Sequence, residues 1–184
     1  PAPVPAPVPA RWVFASGFLL VVAALFGNLF NFAYNAYLGR RLSIEDFGLV
    51  SLIGSFLYLS TIPIGALGKT VTHRSAFLFG KYKTPARAFW KIVRIRAFLI
   101  GSLITAAWIF GAPILSQYFN APSIDPFYLF APAWVVGLIL AVDSGFLSGN
   151  LKFAAIAAIT FTEPLVRLLL AFTLVETGFP QYVY

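Results

Sequence analysis

Cysteine and methionine are both missing from this chain, and histidine occurs once. Without cysteine there is no disulfide framework, no thiol nucleophile and no thiolate metal site. His73 has no second histidine and no nearby acid to work with, so it reads as a surface residue and not as a metal ligand or catalytic base. Charge is scarce too: Asp, Glu, Lys and Arg make up 10% of the 184 residues, where a soluble domain carries about 25%. That scarcity excludes nucleic acid as a partner, because bases and phosphates are read by solvated basic surfaces, even though 13 Lys and Arg against 6 Asp and Glu leave a net charge of +7. An enzyme acting on lipid-linked sugars would need paired carboxylates or a metal cluster near one membrane face, and neither pattern occurs. The expectation is a protein that is not an enzyme and holds no cofactor. With no initiator Met, the chain is expected to lack its natural start.

What is abundant is hydrocarbon, at 60% of all residues. The opening PAPVPAPVPA removes backbone donors and favours an extended polyproline conformation. Residues 1–11 therefore read as a disordered linker or tail, with a proline-binding partner as the alternative. From Trp12 to Gly39 there is no charge at all. That run is longer than the ~30 Å hydrocarbon core requires at about 1.5 Å per residue, and too long for the roughly 7- to 15-residue apolar region of a secretory signal. Four more apolar segments follow at 47–68, 97–118, 126–147 and 153–175. No alternating strand pattern of the barrel kind is present, and backbone in lipid must bond internally. The fold class is all-α: a multi-pass transmembrane bundle over 12–184 with about five spans. Pro63, Pro113, Pro132 and Pro164 fall inside these spans, where kinks are expected in place of breaks.

The basic residues set an orientation. With the amino terminus cytoplasmic, Arg11, Lys69, Arg74, Lys81, Lys83, Arg87, Lys91, Arg94, Arg96 and Lys152 all lie inside, which is what the positive-inside rule requires. Only Arg40 and Arg41 lie outside. The segment 69–96 holds most of these cations. Its Arg87, Lys91 and Arg94 share a helical face, and with Trp90 at the interface it can lie in the headgroup region against anionic lipid, or it can simply fix topology.

DFG at Asp46 to Gly48 lacks the Gly-rich loop, lysine strand and HRD loop that give that tripeptide meaning in kinases. It reads as the start of a helix, with Ser43 as cap and Glu45 and Asp46 at the positive end. The Gly145 to Gly149 spacing suggests close helix packing and no more.

In order and spacing, GNLFNFAYNAYLGRRLSIEDFGLVSLIGSFLYL, a basic inner segment, and GFLSGNLKFAAIAAITFTEPLVRLLLAF resemble the oligosaccharide flippases that export O-antigen and exopolysaccharide repeat units. Those flippases belong to the multidrug/oligosaccharidyl-lipid/polysaccharide flippase superfamily. The likeness covers 12–176, carried by the Gly-Arg, Leu-Ser, acidic pair, aromatic, Gly pattern of 39–48 and the Leu-polar-Gly turn of 147–153. It implies a dozen or more helices in two lobes around a cavity, alternating access, a lipid-linked glycan as substrate, a bacterial inner-membrane location and glycan polymerase or other assembly proteins as partners. The chain is then expected to be part of a first six-helix lobe, with GFPQYVY at 178–184 approaching a sixth helix. Alternatives are a multidrug exporter of the same superfamily and a non-transporting scaffold of a glycan synthesis complex.

Six residues are candidates for substrate or ion contact. Glu163 and Arg167 stand four apart in an apolar run, acid first, which is the favoured order for a helical pair. Ions at that depth pair or face a wet cavity, so the two are either structural or functional. Asp143, one span earlier, is expected to snorkel or to join them, and a proton or sodium ion could couple at Glu163 or Asp143. Asn28, Asn31 and Asn35 form one stripe on the first span, either bonding across helices or lining a cavity. Amides suit sugar hydroxyls, and Arg167 suits a lipid pyrophosphate.

Overall fold

A computed structural model describes residues 10–81, 85–178 and 183. The proline-rich stretch 1–9, Lys83 and residues 179–182 and 184 of the expected approach to a further helix lie outside the described residues.

Six helices run in order: α1 (Ala10–Arg41), α2 (Ile44–Lys81), α3 (Pro85–Tyr118), α4 (Asp125–Phe130), α5 (Pro132–Gly149) and α6 (Phe153–Glu176). Among the described residues there is no strand. Counting α4 and α5 as one interrupted span, five helical units among the described residues are long and apolar enough to cross a membrane, and the protein is an all-α multi-pass bundle. Large apolar side chains on its outside agree with a lipid solvent: Phe110 is 82% exposed and Phe32 72%, an arrangement that water would not tolerate over so much surface.

Helix pairing follows the parity of the spans. α1 packs against α6, and α2 against α5, each pair parallel, while α3 runs antiparallel to α5. A chain that threads up and down must place its first and fifth spans, and its second and fourth, in the same direction. The α2–α5 seam is made by small residues four apart. A Cβ added at Gly145 would lie 2.6 Å from the Gly68 carbonyl oxygen, and one at Gly149 2.6 Å from the Ser75 Cβ, so the backbones meet where glycine lets them.

The ends are built as local chemistry dictates. Ser43 Oγ accepts the Asp46 backbone N–H at 3.1 Å and donates to Asp46 Oδ2 at 2.7 Å, capping α2. At the other end of the bundle α5 closes in a Schellman motif, in which Lys152 N–H reaches the Leu147 carbonyl and Leu151 N–H the Ser148 carbonyl, both at 3.0 Å. Leu151 takes φ 58° there, the position where glycine is usual.

Two expectations need correction. The helices do not stop at the basic segment: α2 continues to Lys81 and α3 starts at Pro85. Their 38 and 34 residues give lengths of about 57 and 51 Å, well beyond a hydrocarbon core. Residues 69–81 and 85–96 are therefore the two ends of membrane helices and not a separate surface helix. The second concerns Pro132, where the helical hydrogen bonding of the span is interrupted although Ala131 keeps helical dihedrals, φ −52° and ψ −44°. It has no N–H for the Tyr128 carbonyl, so the Ala131 N–H bonds Tyr128 at 3.2 Å instead. That shift frees the Phe127 carbonyl, which accepts Trp108 Nε1–H at 2.8 Å, and the Ala131 carbonyl accepts the Thr105 hydroxyl at 3.0 Å. Helix α3 thus supplies the donors for the broken turn.

Candidate functional site

Pro164 lies buried inside α6 and, lacking an N–H, leaves the Thr160 carbonyl without its helical donor. Opposite it on α1 is Gly27, where an added Cβ would come within 3.0 Å of that same oxygen and 3.4 Å of Pro164 Cγ. The glycine lets α1 approach the kink closely. Beside this contact the two helices part from the end of α5, and a groove of about 480 Å³ opens between the three.

Its polar lining comes from all three helices: Asn28 and Asn31 of α1, Ser144 and Ser148 of α5, Thr160 and Glu163 of α6. The apolar remainder is small or aliphatic, with Ala24, Gly27, Ile156, Ile159 and Pro164 and, among the described residues, no aromatic ring. Arg167, one turn beyond Glu163, pairs with its carboxylate through Nη2 and reaches Asn31 Oδ1 with Nη1 at 3.5 Å. The guanidinium therefore ties α6 to α1 at the rim. Neither charge is enclosed by protein: the side chains of Arg167 and Glu163 are 43% and 61% exposed. The arrangement offers amides, hydroxyls, a carboxylate and a planar cation on a half-open surface, a set that suits polyhydroxylated and anionic groups.

Four of the six candidates thus come together, namely Asn28, Asn31, Glu163 and Arg167. Asn35 does not line the groove, and its amide donates to the Asn31 backbone carbonyl of its own helix at 2.8 Å. Asp143 does not join the Glu163–Arg167 pair. It faces the other side of α5, where Oδ1 accepts Trp90 Nε1–H at 2.7 Å and lies 3.4 Å from Arg94 Nε. The reason is rotation about the helix: Ser144, one residue on, points into the groove, and Asp143 is turned toward α3. Ser144, Ser148 and Thr160 were not singled out from the sequence. The four-residue spacing of the two serines was the available signal, since it puts both on one face of α5.

A second polar closure ties α1 to α6 at the opposite end of the pair. Tyr37 Oη donates to Glu176 Oε1 at 3.2 Å, and Arg41 Nη2 lies 3.3 Å from the same oxygen. Among the described residues, no group of three or more His, Cys, Asp or Glu is placed to hold a metal ion.

Compared with known proteins, the chain matches no family model, no curated protein and no solved structure.

Proposed function

We propose that the protein carries lipid-linked oligosaccharide or polysaccharide repeat units across a bacterial inner membrane, with its amino terminus on the cytoplasmic side. No bond is made or broken in this reading. The work is to lower the barrier for a polar headgroup to cross hydrocarbon, by alternating exposure of the groove to the two sides. The observation that carries the reading is the lining of the groove between α1, α5 and α6, where two amides, three hydroxyls and a carboxylate converge at membrane depth with Arg167 at the rim. Polar groups placed at that depth are costly unless they meet one another, water or a substrate. Sugar hydroxyls match the amides and hydroxyls, and the guanidinium fork matches phosphate oxygens.

A multidrug exporter would need aromatic faces for hydrophobic cations, and among the described residues the lining has none. A scaffold would have no use for intramembrane charge at a groove. The test is genetic and chemical together. Deleting the gene from its host should strand lipid-linked repeat units on the inner leaflet and deplete surface glycan, and the wild-type gene should restore both. Unchanged surface glycan in the deletion strain would overturn the reading.

A further inference from the structure

The basic end of the bundle carries cations that the fold does not use. All six acidic residues of the chain fall among the described residues, and of these only Asp143 pairs with a cation at this end, taking Arg94. The Arg94 guanidinium is also stacked over the Trp90 ring, 5.2 Å from its centroid, so its charge is neutralised and held. Arg87, Lys91 and Arg96 of α3, with Lys69 and Arg74 of α2, are exposed, and no carboxylate among the described residues lies within salt-bridge distance of them. Both helix ends are fixed by one apolar cluster, in which Phe89, Trp90 and Val93 pack against Val71, Ala97, Leu138 and Val142.

The height of these cations follows from their neighbours. Ile92 and Ile95 are each 52% exposed, and Phe98 51%, so the exposed apolar surface of α3 runs up to Ile92. Lys91 and Arg87 precede Ile95 by one and two turns, about 6 and 12 Å along the axis. A headgroup layer extends roughly 5–8 Å beyond the hydrocarbon on each side, and lysine and arginine stems snorkel over several more. Lys91 and Arg87 therefore stand at and beyond the edge of the exposed apolar surface of α3.

We propose that Arg87 and Lys91, with Lys69 and Arg74 at the same end of the bundle, form a docking surface for anionic phospholipid headgroups of the adjoining leaflet. The apolar stems and Ile92 lie against the acyl chains, and the cations take the phosphate that zwitterionic lipid presents with less net charge. This surface is distinct from the groove and does not depend on what the groove carries.

The experiment is native mass spectrometry of the purified protein with equal amounts of phosphatidylglycerol and phosphatidylcholine of matched acyl chains. Wild type should retain phosphatidylglycerol preferentially, and Arg87→Gln with Lys91→Gln should lower that preference about tenfold or more, each cation contributing about 1 kcal/mol at a membrane surface. Arg40→Gln, at the opposite end, should leave it unchanged. Equal retention of the two lipids by wild type, or a preference that survives the double substitution, would overturn the proposal. So would an equal loss with Arg40→Gln, which would assign the effect to net charge. Should the double variant fail to fold, a salt series on wild type decides, because attraction at exposed cations weakens with ionic strength, and a preference indifferent to salt would count against the surface. Inorganic phosphate added at constant ionic strength should displace no lipid. Displacement would reassign the cations to a soluble phosphate ligand.

Discussion

Trp90 donates its indole N–H to Asp143 Oδ1 at 2.7 Å across the α3–α5 interface, and this bond makes a membrane carboxylate part of the architecture. The same oxygen faces Arg94 at 3.4 Å, so indole and guanidinium share one acceptor. Substituting Asp143→Leu leaves both donors unanswered and should lower stability by about 1–3 kcal/mol. Asp143→Asn keeps an acceptor for Trp90 and should cost less. Thermal unfolding in detergent, followed by tryptophan fluorescence, ranks the two, and an Asp143→Leu protein as stable as wild type would show the bond to be incidental.

Glu163 and Arg167 lie at the groove and are not enclosed by protein, so replacing both should leave folding intact. The expected result for Glu163→Leu with Arg167→Leu is normal membrane level with glycan export reduced about tenfold or more, on the scale of one lost charge-assisted contact. Arg167→Lys keeps the charge but loses the planar fork, and should also reduce export. The measurement is export per folded protein in the deletion strain. Near-normal export by the double variant would show that the pair does not touch the substrate.

The glycines divide sharply by what surrounds them. Gly149→Ala puts a methyl 2.6 Å from Ser75 Cβ and 2.7 Å from the Thr72 carbonyl oxygen, so α2 and α5 must part, at a cost of about 1–3 kcal/mol. Gly111→Ala in α3 meets nothing within 4 Å and should gain up to about 1 kcal/mol from helix propensity. Unfolding midpoints of the two variants should move in opposite directions. A stable Gly149→Ala protein would mean that the seam is slacker than its geometry.

Leu151 holds a left-handed conformation, φ 58°, while its side chain is exposed. A residue with a Cβ is disfavoured there by about 1–2 kcal/mol, and little packing is lost on its removal. Leu151→Gly should therefore stabilise the α5–α6 turn by about 1 kcal/mol, read as a raised unfolding midpoint. A lowered midpoint would show that the leucine contributes contacts of its own.

Topology can be read directly, because the chain has no cysteine of its own. Ser43, in the α1–α2 turn, and Lys152, in the α5–α6 turn, are both exposed and belong to opposite ends of an up-and-down bundle. Ser43→Cys should react with an impermeant thiol reagent in intact cells, and Lys152→Cys only after permeabilisation. The reverse pattern would invert the proposed orientation.

The spans were legible in the sequence because hydropathy reports what lipid demands, and the Ser43 cap because its partners are three residues away. Helix length was not. The basic extension of α2 and α3 is helical through packing of residues such as Val71, Trp90 and Ala97, which a hydropathy window counts as polar surroundings. The break at Pro132 needed the donors of Thr105 and Trp108 to be in place on another helix. For the same reason the sequence does not show that the partners of Asp143, Trp90 and Arg94, are on α3. Periodicity shows that a residue shares a face with its neighbours, but which helix that face meets is decided by contacts between residues far apart in sequence. Two of the three asparagines and the Glu163–Arg167 pair could be grouped in advance, whereas the serines of α5 entered only through the tertiary arrangement.

The pairing of α1 with α6 imposes an order on assembly. α1 ends at Arg41 and its main partner begins at Phe153, so a ribosome working at ~5–20 residues per second leaves α1 waiting on the order of ten seconds. Through that interval Asn28 and Asn31 have no α6 and no groove to face. A lipid-facing amide is costly, so the first helix keeps Asn28 and Asn31 out of lipid only against the α2–α5 pair or the insertion machinery until the last helix emerges.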